Sequence, residues 1–202
     1  PSYLFKTLNF LSERKIKFKK ILVIDSSSYD NRQKINKYIK KFKVKLIYTS
    51  PSTSRQRNIG LRNVKKTKFI MFLDDDIKFN KNSFKNMDEG IKQFKNSSGY
   101  CFNIIQKERN NFIDFLKKSK IISILNLYSE KKGVVLENGW HTQLFNCDKN
   151  LDVEWMFSGA TIFKYDKIKK MKFKVGKYNY CYLEDLDFTY NLFKKKLKLT
   201  CI

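Results

Sequence analysis

Two groups of acids could do chemistry in this chain. Asp74, Asp75 and Asp76 follow directly on a short apolar run, Phe69 to Leu73. Three adjacent carboxylates repel one another. A hard divalent cation is the usual offset, because it takes carboxylate oxygens. A solvated acidic turn after a core strand is the alternative. The second group, Glu184, Asp185 and Asp187, opens a stretch of helical spacing (LEDLDFTYNLFK). On spacing alone these acids complement a helix N-terminus. Other chemistries lack their parts. The one histidine, His141, sits in an unpatterned polar loop, so a Ser-His-Asp set has no support. The cysteines (101, 147, 181 and 201) form no CxxC pair, which argues against the common zinc sites and for free thiols. The seven glycines make neither GxGxxG nor the GxxxxGK[ST] loop, which disfavours a dinucleotide-binding Rossmann enzyme or a P-loop ATPase.

The elements that must position the acids alternate. Residues 3–13 have helical spacing. Lys20 to Asp25 is a β-branched run that ends on an acid and reads as a buried strand. Ser26 to Asp30 is a turn, and residues 31–42 read as a helix with Ile35, Tyr38, Ile39 and Phe42 inward. Val44 to Tyr48 is a second strand. Pro51 to Ser54 breaks and caps, and a helix runs from Arg55 to Val64. Phe69 to Leu73, apolar throughout, reads as a strand buried on both faces. The order predicts a largely parallel, doubly wound sheet with its chemistry beyond the carboxyl ends of the strands. Further on, the pattern predicts a helix over 82–95 and a strand over Gly99 to Ile105. It places another helix over Phe112 to Leu125, strands over Val153 to Met156 and Ala160 to Phe163, and a helix over 183–194. Leu197 to Ile202 is strand-like.

The chain has 202 residues, enough for one domain with a sizeable core, and a net charge of +24. Such a charge attracts polyanions, among them nucleotide diphosphates and lipid phosphates. Only six of the 43 basic residues are arginine, and the lysines are spread along the chain. Both features count against a nucleic-acid-binding module, which relies on the arginine fork. No apolar run approaches transmembrane length.

Taken together, ILVIDSSSYD, SRQRNIGL, FIMFLDDDI, VEWMFSGATIF and YLEDLDFTYNLF resemble, in order and spacing, the inverting family-2 glycosyltransferases of GT-A fold. The resemblance covers essentially the whole chain. It implies an α/β fold of nucleotide-diphospho-sugar transferase type, a mostly parallel central sheet flanked by helices, forming a single domain over residues 1–202. It implies transfer of a sugar from a UDP- or GDP-sugar to a hydroxyl of a cell-surface glycan or lipid-linked acceptor, in polysaccharide biosynthesis. The expected setting is cytoplasmic, with peripheral contact at the inner face of the membrane and no nucleic-acid partner.

The same resemblance assigns residues. Asp74 and Asp76 stand where the family has its DxD motif, with Asp74 toward the ribose and Asp76 holding Mn²⁺ or Mg²⁺ against the diphosphate. Asp75 between them stays open as a solvent-facing or capping acid. Asp185 matches the general base of the ED motif, and Glu184, Trp155, Gly159 and Ala160 match the donor-sugar and acceptor segment. Asp25 and Arg57 match nucleoside-side contacts. Two departures stand out. Ser26 occupies a position where many members carry a second acid or Asn, which leaves the nucleobase open. PSYLFKTLNFL matches the helix after the family's first strand, so the expectation is a chain cut at its N-terminus. Trp140 and His141 are candidates for an acceptor pocket, and the Lys194-Lys195-Lys196 cluster for membrane contact. A nucleotidyltransferase with an acidic metal site at strand ends, and a non-catalytic basic module, are the competing classes.

Overall fold

The structure, a computed structural model, describes residues 1–14, 16, 18–106, 129–177 and 181–202. The helix expected over Phe112 to Leu125 lies outside the described residues. In chain order the elements are α1 (Ser2–Glu13), β1 (Ile21–Asp25), α2 (Tyr29–Ile39), β2 (Val44–Tyr48), α3 (Thr53–Arg62), β3 (Phe69–Leu73) and α4 (Ser83–Gln93). Then follow β4 (Gly99–Cys101), β5 (Leu151–Val153), β6 (Ala160–Lys164), the single turn α5 (Tyr165–Ile168), α6 (Glu184–Lys194) and β7 (Leu199–Cys201).

β1 and β2 pair in parallel, Ile21 opposite Val44 and Asp25 opposite Tyr48. The other five strands form one sheet in the order β3-β6-β4-β7-β5. The α/β class and the helix-flanked central sheet are as expected. The strand sense is more mixed than the sequence suggests. β6 enters antiparallel between β3 and β4, and β5 runs antiparallel to β7, whereas β4 and β7 are parallel. The physical reason is that β6 arrives after a long excursion from β4. Its direction is therefore not set by a strand–helix–strand crossover.

β3 shows why its sequence is apolar throughout. Side chains alternate across a strand. Ile70 and Phe72 face the core shared with Leu61 of α3 and Phe188 and Leu192 of α6. Phe69, Met71 and Leu73 face the other layer, around Met87 of α4, Tyr100 and Phe102. A separate cluster of Leu8, Val23, Ile35 and Ile39 fastens α1 and α2 onto β1. The strand expected over Val153 to Met156 is Leu151–Val153 instead, and residues 154–159 form the connection into β6.

Candidate functional site

β3 ends at Leu73, and Asp74 is fixed at once: its N–H donates to the Gly159 carbonyl at 2.7 Å. β6 starts beside it, Ala160 lying opposite Leu73. A Cβ on Gly159 would sit 3.0 Å from Asp74 Oδ2, so the glycine leaves room for that carboxylate. Chain direction then turns, and Asp75 and Asp76 are exposed. The Asp75 carbonyl accepts a hydrogen bond from Thr7 Oγ1 at 2.8 Å.

α3 brings the cation. Its N-terminus is capped by Ser52, whose Oγ accepts from the Arg55 N–H at 3.3 Å, and Gln56 Nε2 ties it to the Ile24 carbonyl at 2.8 Å. Ser54, Arg57 and Leu61 fall on its buried face. The buried Arg57 therefore reaches inward. Its guanidinium donates to Asp185 Oδ1 at 2.6 Å, to Glu184 Oε1 at 3.2 Å, and to both Asp74 oxygens at 3.2 and 3.3 Å. The face of the Phe173 ring lies 5.4 Å from the guanidinium carbon.

α6 brings the remaining acids. Leu183, just before it, has left-handed backbone (φ 58°), a conformation that costs a non-glycine residue on the order of 1–2 kcal/mol. Strain of that kind persists only where the surroundings enforce it. The anchors are visible. Thr189 Oγ1, fully buried, accepts from the Met156 N–H at 3.0 Å and donates to the Asp185 carbonyl at 2.7 Å. Phe188 stacks on Phe173 with centroids 3.9 Å apart and planes 5° from parallel. Asn58 holds the Phe173 backbone from both sides, donating to its carbonyl and accepting from its N–H, each at 2.8 Å.

One arginine thus serves three carboxylates, and the charge does not balance. Burial lifts the Asp74 carboxyl above its ordinary value; Arg57 opposes, and Asp185 and then Asp76 add to the rise. Glu184 is raised as well, first by burial and then by Asp185, against Arg57 and a backbone hydrogen bond. The site in this form carries excess negative charge.

The structure brings Arg57, Asp74, Glu184, Asp185 and Gly159 together, with Arg57 at their centre. Arg57 is expected on the nucleoside side, but its guanidinium is held by the acids. Trp155 needs a correction. It is expected beside a sugar, yet it is 2 % exposed, its indole N–H donates to the Thr142 carbonyl at 3.0 Å, and His141 and Phe157 pack edge-on against it. Its faces are used by the core. Ala160 is buried at the start of β6. Asp25 ends β1; its Oδ1 accepts from Ser27 Oγ at 2.7 Å, and its Oδ2 is buried with no partner among the described residues. Trp140 is exposed at the loop tip, and burial lowers the pKa of His141. Asn58, Phe173 and Thr189 are missed by sequence reasoning. Only Thr189 left a signal, a hydroxyl in the middle of an amphipathic helix.

Among the described residues no group of three or more His, Cys, Asp or Glu side chains is arranged to enclose a metal ion. The donor set does fit a cation shared with a substrate. Mg²⁺-like ions are commonly held by one or two carboxylates plus phosphate oxygens and waters. Asp76 is exposed, and no ion pair or hydrogen bond engages its carboxylate among the described residues.

The model of the family described as Glycosyl transferase family 2 matches residues 1–150. The chain belongs to that family. Among solved structures, residues 1–349 of S. aureus TarS superpose with a TM-score of 0.57 at 17% identity, over 98% of this chain and 54% of that one. A second S. aureus TarS structure gives 0.60 at 14%, over 98% and 32%. GalNAc-T7, solved with UDP, GalNAc and Mn²⁺, gives 0.53 at 14%, over 91% and 36%. These likenesses show the fold, which is of GT-A type. The family-2 chain spans about half or less of the length of these structures. No curated protein sequence matches it. No helix among the described residues is long and apolar enough to cross a membrane.

Proposed function

We propose that this family-2 chain is an inverting, divalent-metal-dependent glycosyltransferase that moves a sugar from a UDP- or GDP-sugar to a hydroxyl of a glycan or lipid-linked acceptor. The observation that carries the reading is the charge imbalance at the ends of β3 and α6. Asp74, Glu184 and Asp185 share a single buried arginine, and the exposed Asp76 carboxylate beside them has no ion pair or hydrogen bond among the described residues. A donor diphosphate cannot enter such a site unless a cation offsets both sets of charge. Mn²⁺ or Mg²⁺ on Asp76 would supply that offset and stabilise charge on the departing diphosphate.

The protein's own groups complete the chemistry. Asp185 is the base: Arg57, 2.6 Å away, holds its carboxylate in position, and it takes the proton from the acceptor hydroxyl as the new glycosidic bond forms. Displacement from the face opposite the leaving group inverts the anomeric centre. Asp74 and the orphaned Oδ2 of Asp25 serve the nucleoside side. Glu184, Gly159 and the start of β6 at Ala160 border the sugar. A nucleotide-sugar donor and a lipid-linked acceptor put the reaction at the cytoplasmic face of a membrane.

The test is a pair of variants. Asp76→Ala should abolish metal-dependent nucleotide binding. Asp185→Ala should bind the nucleotide as well as the wild type and turn over at least 10³-fold more slowly, about the scale of a lost general base. Normal turnover by Asp185→Ala would remove it from the role.

A further inference from the structure

β1 ends on a carboxylate with one oxygen engaged and one open. Asp25 is 9 % exposed. Its Oδ1 accepts from Ser27 Oγ at 2.7 Å, and its Oδ2 is enclosed without a partner among the described residues. An enclosed acceptor without a donor is rare in a folded protein and calls for one. Two ties set this carboxylate beside the acids. In α1, Thr7 holds the Asp75 carbonyl while its neighbour Leu8 packs on Val23. In α3, Gln56 holds the Ile24 carbonyl while its neighbour Arg57 holds Asp74. The carboxyl ends of β1 and β3 therefore lie side by side, Asp25 at one and Asp74 at the other. The loop after Asp25 is fixed as well. Arg32 donates from Nε to the Ser27 carbonyl at 3.0 Å and from Nη2 to the Thr49 carbonyl at 3.5 Å, with its guanidinium 4.7 Å over the Tyr48 ring. The Ser27 hydroxyl is held on Oδ1 by that arrangement.

We propose that Asp25 and Ser27 together select a donor nucleobase with a single ring N–H between two carbonyls, uracil or thymine, over guanine, cytosine and adenine. The argument is a count of donors and acceptors. A carboxylate with both oxygens open suits guanine, whose N1–H and N2–H₂ are adjacent donors. Here the Ser27 hydroxyl already engages Oδ1, so one oxygen seeks one N–H. The lone N3–H of uracil or thymine supplies it. Cytosine and adenine present a bare ring nitrogen at that edge, and its lone pair would face the carboxylate. A site built to receive an N–H rejects a base that lacks it, because the enclosed acceptor then stays unpaired. Asp25 thus sets the need for a ring N–H, and Ser27 sets the number at one. The inference rests on the glycosyl-transfer reading, in which the nucleoside lies at the end of β1 and the diphosphate at the end of β3.

The experiment titrates UDP, dTDP, GDP, CDP and ADP, each with Mn²⁺, into the wild type, Ser27→Ala and Asp25→Asn. The wild type should bind UDP or dTDP at least about tenfold more tightly than the other three, and the comparison of those two reads the sugar of the nucleoside. Ser27→Ala opens Oδ1, so GDP should gain at least about fivefold on the preferred nucleotide. Asp25→Asn keeps an oxygen for Ser27 and puts an N–H₂ where Oδ2 was. That group opposes the N3–H of uracil and suits the bare N3 of cytosine, so CDP should overtake UDP. Each readout is a ratio of two ligands on one protein, so partial unfolding of a variant cancels. A wild-type preference for GDP, CDP or ADP would overturn the proposal. So would a UDP-to-GDP ratio unchanged in Ser27→Ala, or an Asp25→Asn protein that ranks the nucleotides as the wild type does. In all of those cases the glycosyl-transfer reading survives. Its own failure shows differently, as silence from all five nucleotides, and takes the base assignment with it.

Discussion

Arg57→Gln tests the electrostatics of the site most sharply. Its guanidinium lies 2.6 Å from Asp185, 3.2 Å from Glu184 and 3.2 Å from Asp74. At an effective dielectric constant of about 20, each contact is worth roughly 5–6 kcal/mol before any cost. Desolvation of the buried arginine and mutual repulsion of the acids take back most of that. Asp74 is also half exposed, so its share is screened. What remains is the cost of leaving the acids without a counter-charge, about 3–5 kcal/mol for a buried pair. For a chain of this size 1 kcal/mol moves Tm by about 2–4 °C, so the variant should melt roughly 6–20 °C lower at neutral pH. The sign of the pH effect follows. Arg57 lowers the pKa of Asp74 and Glu184, so removing it raises both further. The folded variant then binds more protons than the unfolded chain, and its stability falls as pH rises through the raised values. The gap to wild type should therefore narrow on acidification. Thermal melts between about pH 4 and pH 8 measure it. A variant within about 2 °C of wild type at neutral pH, or a gap that does not change with pH, would refute the three-acid account.

Further outcomes follow from the same geometry. Asp74 and Glu184 already titrate above their ordinary values, so their contribution to stability is present below those values and lost as pH rises. Asp74→Asn should accordingly raise Tm at neutral pH, with the gain disappearing below about pH 4, while nucleotide binding is lost. Gly159→Ala puts a methyl group 3.0 Å from Asp74 Oδ2; calorimetry should show nucleotide affinity weakened severalfold with Tm almost unchanged. Thr189→Val removes the hydroxyl between Met156 and Asp185. A cost of about 1–3 kcal/mol is expected in a denaturant melt, with kcat falling more than nucleotide affinity because α6, which carries the proposed base Asp185, loses its register.

Much of this was legible because it is local. β3 stands at Phe69–Leu73 as read, since a strand with two apolar faces has no other short pattern. α6 begins at Glu184, where the acids announce a helix start. What stayed hidden depends on contacts across the fold. Arg57 meets its partners Glu184 and Asp185 127 and 128 positions along the chain, and no local spacing reports that. The Asn58 side-chain amide holds Phe173 by its backbone N–H and carbonyl, which any residue but proline at 173 would present. Trp155 was misplaced for the converse reason. An aromatic four positions before a glycine suits a sugar face or a core equally well, and only its neighbours show that the indole is enclosed. The antiparallel entry of β6 depends on the long passage between β4 and β6, whose composition says nothing of direction.

The central claim is that a metal-dependent nucleotide-sugar site lies at the end of β3. Calorimetric titration of UDP and of GDP into the protein, with and without Mn²⁺, addresses it directly, repeated with Asp76→Ala. The account predicts that one of the two nucleotides binds with Mn²⁺, that binding vanishes without it, and that Asp76→Ala abolishes it. Nucleotide binding indifferent to both Mn²⁺ and Asp76, or silence from both nucleotides in the presence of the metal, would contradict it.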